Sequence, residues 1–227
     1  MKPTWRGELV QLLPIAAMFV VAALCWSHVP DQIPVHWNWE GKVDRYGSKF
    51  TGLVMLPLVA LGIYALLLVL PRFDPGRANY ATFAGAFNAI RLVLTLFFAS
   101  IYTVSVLVAL GYHVNMNTVI GLALGVLFII MGNVMGKIRP NWFVGVRTPW
   151  TLSSKLSWTK THRLAGWLFI VMGLLAVAWA ILQTFWMLCV MVAVDMSCGI
   201  VIAVYSYLVY RKDPARMTPA DTKPVIE

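Results

Sequence analysis

Apolar and polar positions fall into long alternating blocks along the chain, with none of the short periods of a water-soluble fold. Six apolar runs stand out, at about 9–26, 52–70, 88–110, 118–136, 164–182 and 185–210. Each is close to or beyond the roughly 20 residues that a helix needs to cross a bilayer core. Gln11 and Pro14 interrupt only the first run, and the last two are separated by a tight turn at Gln183-Thr184. The pattern predicts an all-α fold: a polytopic membrane bundle of about six transmembrane helices.

The polar blocks orient that bundle. Fifteen basic residues lie in blocks on the side of the termini, and three (Lys42, Arg45 and Lys49) lie in the block at 28–51. Loops rich in Lys and Arg stay in the cytoplasm. Both termini and the basic loop 137–163 are therefore expected inside, and the loop 28–51 outside. Trp5, Trp26, Trp142, Trp150, Trp158, Trp167, Tyr207 and Tyr210 stand near run ends, where interfacial belts form. The expected organisation is a two-helix unit at 1–70, a four-helix segment at 71–210 and a disordered cytoplasmic tail at 211–227.

Composition agrees with the pattern. The 227 residues are 60% hydrophobic and 12% charged, and the mean hydropathy is +0.76. Too little polar surface remains to solubilise a globular domain. No loop is long enough to fold as a domain of its own. The net charge of +9 follows from the sidedness of the basic residues, so no direct nucleic-acid binding is expected. Cys25, Cys189 and Cys198 sit in apolar runs and read as small buried hydrophobes. Ser27-His28-Val29-Pro30 is a poor cleavage site, so the first run reads as a retained helix. No internal repeat supports an inverted-repeat transporter.

Two loops carry chemistry. The outer loop is dense in turn formers (Pro30, Pro34, Gly41, Gly47) and in groups able to bind a ligand: His36, Trp37, Asn38, Trp39, Asp44 and Arg45. Trp37 and Trp39 are aromatic anchors of the kind that dominate binding surfaces. His28, His36 and Glu40 are candidate metal ligands, and His36-x3-Glu40 matches an i,i+4 pair on a helix. Pro34 and Gly41 leave room for little more than one turn there, so no metal or other cofactor is expected. In the inner loop Thr151 is a candidate N-cap for a short amphipathic helix over 152–162, with Trp158 at the headgroups. Within the spans Asp195 is expected to be the one acid, and intramembrane acids mark functional sites by default. Arg91 is expected to snorkel toward the cytoplasm, its backbone differing from that of Asp195 in depth by roughly 15 Å. Tyr102, Thr103 or Tyr64 are better depth-matched partners for Asp195.

The inner loop carries Asn133, then Lys137-Ile-Arg139-Pro-Asn141, then Gly145-Val-Arg147-Thr-Pro-Trp150-Thr-Leu, then Trp158 and Thr161-His162-Arg163. This ordered set resembles the SdpI immunity-protein family. The outer stretch Ile33-Pro34-Val-His36-Trp-Asn38 with Gly41, Asp44-Arg45 and Gly47 resembles the short N-terminal domain often preceding that family's segment. The resemblance spans about 12–210. It implies a non-enzymatic, multi-pass protein of the bacterial plasma membrane that confers resistance to a secreted membrane-active peptide toxin. It further implies a relay in which a cytosolic transcriptional repressor is recruited, with Asn133, Arg139, Asn141, Arg147, Trp150, Trp158, His162 and Arg163 as docking candidates. Two other readings stand beside it. One is a small transporter centred on Asp195. The other is a metal-dependent intramembrane enzyme using His28, His36 and Glu40, although no HExxH-like spacing or nucleophile motif is present.

Overall fold

Every apolar run forms a helix, and short polar side chains fix where several of them begin. In the computed structural model, which describes residues 5–216, α1 is Trp5–Cys25, α2 Met55–Phe73, α3 Ala84–Ala109, α4 Met116–Met135, α5 Pro149–Leu152, α6 Lys155–Leu182 and α7 Phe185–Arg211. A π-helical turn, Phe50–Val54, leads into α2, and a 3-10 segment, Arg77–Phe83, leads into α3. Asn115, Ser154 and Thr184 cap α4, α6 and α7 by accepting from the amides of Thr118, Ser157 and Met187. These side chains satisfy donors that the first helical turn leaves open. Gln183 ends α6 in the left-handed region, φ 50°, which makes the two-residue turn into α7 possible.

Among the described residues, six helices are long and apolar enough to cross a membrane. The protein is a multi-pass membrane protein, and an even number of spans brings residues 5 and 216 to one side, called here the terminal side. One feature departs from the all-α expectation. The outer loop forms an antiparallel hairpin, β1 Gln32–Trp37 and β2 Val43–Ser48. No helix pairs His36 with Glu40.

α3 packs against α1 and α2 on one flank and α4 on the other, followed by α6 and then α7. The α4–α6 contact is set by glycine. A Cβ at Gly132 would stand 2.6 Å from the Gly166 carbonyl oxygen, and one at Gly173 would stand 2.8 Å from that of Gly125. Only hydrogen fits there, so the backbones approach closely, as small residues permit in lipid.

The 152–162 helix is corrected. Thr148, not Thr151, caps the short α5, and Ser154 starts α6 directly. Residues 155–162 are thus the first turns of a span, and Trp158 is buried inside the protein at 1% exposure. Of the expected tail, residues 211–216 are described. There Asp213 accepts from Ser154 Oγ at 2.5 Å, joining the end of α7 to the start of α6. Residues 217–227 lie outside the described part.

Candidate functional site

The hairpin closes on its own polar groups. Asn38 Oδ1 accepts from the amides of Glu40 and Lys42, and Gly41 takes φ 78° in the turn. His36 Nδ1 lies 2.6 Å from Asp44 Oδ1 across the strands, and Lys42 pairs with Glu40 at 2.7 Å. That ion pair raises the Lys42 ammonium above its ordinary value. His28 lies apart, its Nδ1 2.9 Å from the Leu24 carbonyl oxygen. The proposed ligand set His28, His36 and Glu40 is therefore not assembled.

The hairpin is docked at both ends. Lys49 Nζ donates to the Trp26 carbonyl and pairs with Asp31. At the tip, Asn117 Nδ2 donates to the Trp39 carbonyl at 2.7 Å, and the Trp39 ring meets Phe185 edge-on at 5.1 Å. Trp39 thus joins the tip to the starts of α4 and α7. Between the hairpin and helices α2 and α3 lies a groove of about 570 Å³, lined by Trp37, Arg45, Tyr46, Met55, Val59 and Ile101 among others. Of the six outer-loop candidates, Trp37 and Arg45 line this groove. His36 and Asp44 hold each other, Asn38 makes the turn, and Trp39 anchors the tip.

Inside the bundle, two expectations about charge fail. Arg91 does not snorkel. It is 2% exposed, and its Nη1 and Nη2 donate to Glu8 Oε1 and Oε2 at 3.1 and 2.6 Å. Tyr64 Oη donates to the same Glu8 Oε2 at 2.7 Å, and Gln11 Nε2 donates to the Asn88 carbonyl. Glu8 belongs to α1, so Asp195 is not the only acid within a span. Tyr102 is not a partner for Asp195. Tyr102 lies in the core of α1, α2 and α3, whereas α7 packs mainly on α6. The Tyr102 hydroxyl and Asp195 Oδ1 each lack a hydrogen-bond partner. Tyr64 is bonded to Glu8, and Thr103 donates to the Ala99 carbonyl.

The inner loop is fastened by the residues of its motif. Asn141 Oδ1 accepts from the amides of Phe143 and Val144, and its Nδ2 donates to the carbonyls of Arg139 and Val144. Asp74, buried between segments, accepts from the Gly76 amide, the Tyr80 hydroxyl and the Trp142 amide. The Val146 amide donates to His162 Nε2 at 3.0 Å, so that nitrogen carries no proton. Nδ1–H then donates to the Trp158 carbonyl at 2.8 Å. Gly145, at φ 104°, lies so close to this ring that a Cβ would come within 2.3 Å of Nε2. Trp158 stacks on His162 with centroids 4.1 Å apart and donates Nε1–H to the Ile138 carbonyl. Thr148 and Thr151 form a reciprocal capping box, and Thr148 Oγ1 meets Ser206 Oγ at 2.9 Å.

Asn141, Trp158 and His162 therefore build the loop from within. Arg139, Arg147 and Arg163 are exposed, and Trp150 packs against Tyr207 at 5.1 Å. Asn133, a docking candidate, is exposed and bonds back to Ile129 of its own helix. Trp142, expected only as an interfacial-belt residue, and Phe143, not singled out from sequence, are exposed aromatics of the loop. Asp74, Tyr80, Ser154, Ser206 and Asp213 were also missed, because each looks like an ordinary turn or helix residue until its distant partner is known.

Residues 137–206 match the SdpI/YfhL protein family, and residues 13–61 match a domain of unknown function, DUF1648. The chain is 26% identical over 207 residues to "Immunity protein SdpI" of Bacillus subtilis (strain 168), covering 91% of this chain and 97% of that protein. No solved structure matches the chain. The resemblance carried by the two loops is borne out: this is a multi-pass membrane protein whose residues 137–206 are similar to the SdpI/YfhL family and whose residues 13–61 are similar to DUF1648.

Proposed function

We propose that this protein is a membrane immunity protein that protects a bacterium from a secreted, membrane-active peptide toxin. The observation that carries the reading is its collinear likeness to an immunity protein along nearly the whole of both chains. In this reading the terminal side is cytoplasmic, supported by the fifteen basic residues there. The hairpin then faces the side from which a secreted peptide arrives.

The groove beneath the hairpin suits such a ligand. Its floor is apolar (Met55, Val59, Ile101) and its rim carries Trp37, Tyr46 and the Arg45 guanidinium. A peptide would bury apolar side chains against the floor, with aromatic and polar contacts at the rim. Trp37→Ala and Arg45→Ala should each lower survival of sensitive cells under toxin while membrane abundance stays unchanged. Full protection by both variants would remove the groove from the mechanism.

Recruitment of a cytosolic repressor is the finer part of the proposal. Its docking surface would be the exposed face of the inner loop: Trp142, Phe143, Arg147 and Leu152. Arg147→Ala should reduce recruitment of a tagged repressor to membranes more than it reduces protection. Equal loss of both would point to a folding defect instead.

A further inference from the structure

We propose that a second cavity, on the terminal side, binds a phosphate-bearing anion, of the kind that an anionic lipid headgroup or free phosphate presents. The cavity measures about 350 Å³ and is lined by Leu68, Pro71, Arg72, Arg77, Phe87 and Arg91. It lies where α2 ends and the 3-10 segment leads into α3. Three arginines thus line one recess, and a guanidinium fork matches the geometry of phosphate oxygens.

The charges around it are not balanced by protein. Glu8 neutralises Arg91. Neither Arg72 nor Arg77 has an ion-pair partner among the described residues. Asp74, the acid nearest them in sequence, is bonded to Gly76, Tyr80 and Trp142. Arg72 and Arg77 are exposed, unpaired among the described residues and part of the lining of a cavity whose other walls are apolar at Leu68, Pro71 and Phe87. A second observation points the same way. Arg91 is 2% exposed, and with both Nη groups engaged its Nε has no acceptor. A buried donor with no acceptor is costly, and Arg91 is one of the residues that line the cavity. Leu68, Pro71 and Phe87 would flank the glycerol and first methylenes if the phosphate belongs to a lipid.

The test uses the full chain in a neutral maltoside detergent, titrated by thermal unfolding with dioctanoyl phosphatidylglycerol and, separately, with inorganic phosphate. At least one probe should raise the midpoint saturably. A response to the lipid alone assigns a headgroup, and an equal response to phosphate assigns the free anion. Arg72→Gln/Arg77→Gln should weaken binding by about tenfold or more, because charge-assisted hydrogen bonds are lost. Lys155→Gln/Lys160→Gln, with the same change in charge elsewhere on the terminal side, should leave affinity within about twofold, because screening leaves little effect at a distance. If the double arginine variant does not fold, the two single variants should each weaken binding about threefold or more. No saturable shift with either probe would overturn the proposal. So would unchanged affinity in the arginine variants, or an equal loss in the lysine control.

Discussion

The Arg91 guanidinium grips the Glu8 carboxylate with both terminal nitrogens, at 2.6 and 3.1 Å, joining α3 to α1 across 83 residues of sequence. Tyr64 adds a third helix by donating to the same carboxylate. A pair buried this way is strongly sensitive to losing one member, since the survivor is left charged and unpaired. Arg91→Gln should cost about 1–3 kcal/mol of stability, because the Glu8 carboxylate left behind is only partly buried. Thermal unfolding in detergent would read it as a lowered midpoint. Glu8→Met/Arg91→Met should recover much of the loss. A midpoint for Arg91→Gln equal to wild type would mean that the pair adds nothing to the packing of α1 on α3.

Glycine contacts make a second prediction. Gly132→Val places a Cβ 2.6 Å from the Gly166 carbonyl oxygen, and Gly125→Val places one 2.5 Å from the Val177 side chain and 3.1 Å from the Gly173 carbonyl oxygen. Overpacking of this kind costs about 1–3 kcal/mol. Gly62→Val is the control, because nothing lies within 4 Å of a Cβ there. Thermal unfolding should separate the first two variants clearly from the third.

Trp158 and His162 were expected as docking residues, and both are buried in the inner-loop scaffold. Trp158→Ala should therefore cost about 3–5 kcal/mol, as large-to-small changes of buried aromatics do. It should also expose the segment 137–154 to limited proteolysis. Trp142→Ala, altering a 55% exposed ring, should do neither. A protease pattern unchanged in Trp158→Ala would show that the stacked pair does not hold the loop.

The Ser154–Asp213 contact gives a pH dependence. Hydrogen bonds from Ser154 Oγ and the Ala215 amide hold the Asp213 carboxyl below its ordinary value of 3.8. A carboxyl lowered on folding stabilises the fold above its ordinary value, and the gain is lost as pH falls through the lowered one. Ser154→Ala should therefore lower the thermal midpoint at neutral pH, and the gap to wild type should narrow as pH falls below about 4. A gap that stays constant into acid would mean that the hydroxyl acts only as a helix cap.

The six spans were legible because block length alone identifies a bilayer-crossing helix. The inner-loop motif was legible as a motif but not as a geometry. Asn141, Trp158 and His162 are residue types common on binding surfaces, and only their backbone partners reveal that they face inward. Arg91 was misread because Glu8 precedes the apolar run, so the pair could not be matched by depth. The hairpin was hidden by Pro34 and by the weak alternation of its strands, whose register shifts between Pro34 and Trp37. The spacing of Gly121, Gly125 and Gly132 on one helix and Gly166 and Gly173 on another is a signal of close packing that the sequence carries.

Survival of a toxin-sensitive bacterium expressing this protein, titrated with a secreted membrane-active peptide and normalised to membrane abundance, bears most directly on the immunity role. Cells carrying the protein should survive concentrations that kill cells carrying an empty vector, and the Trp37→Ala variant at equal abundance should lose much of that margin. Equal killing with and without abundant wild-type protein would contradict an immunity role against that class of peptide.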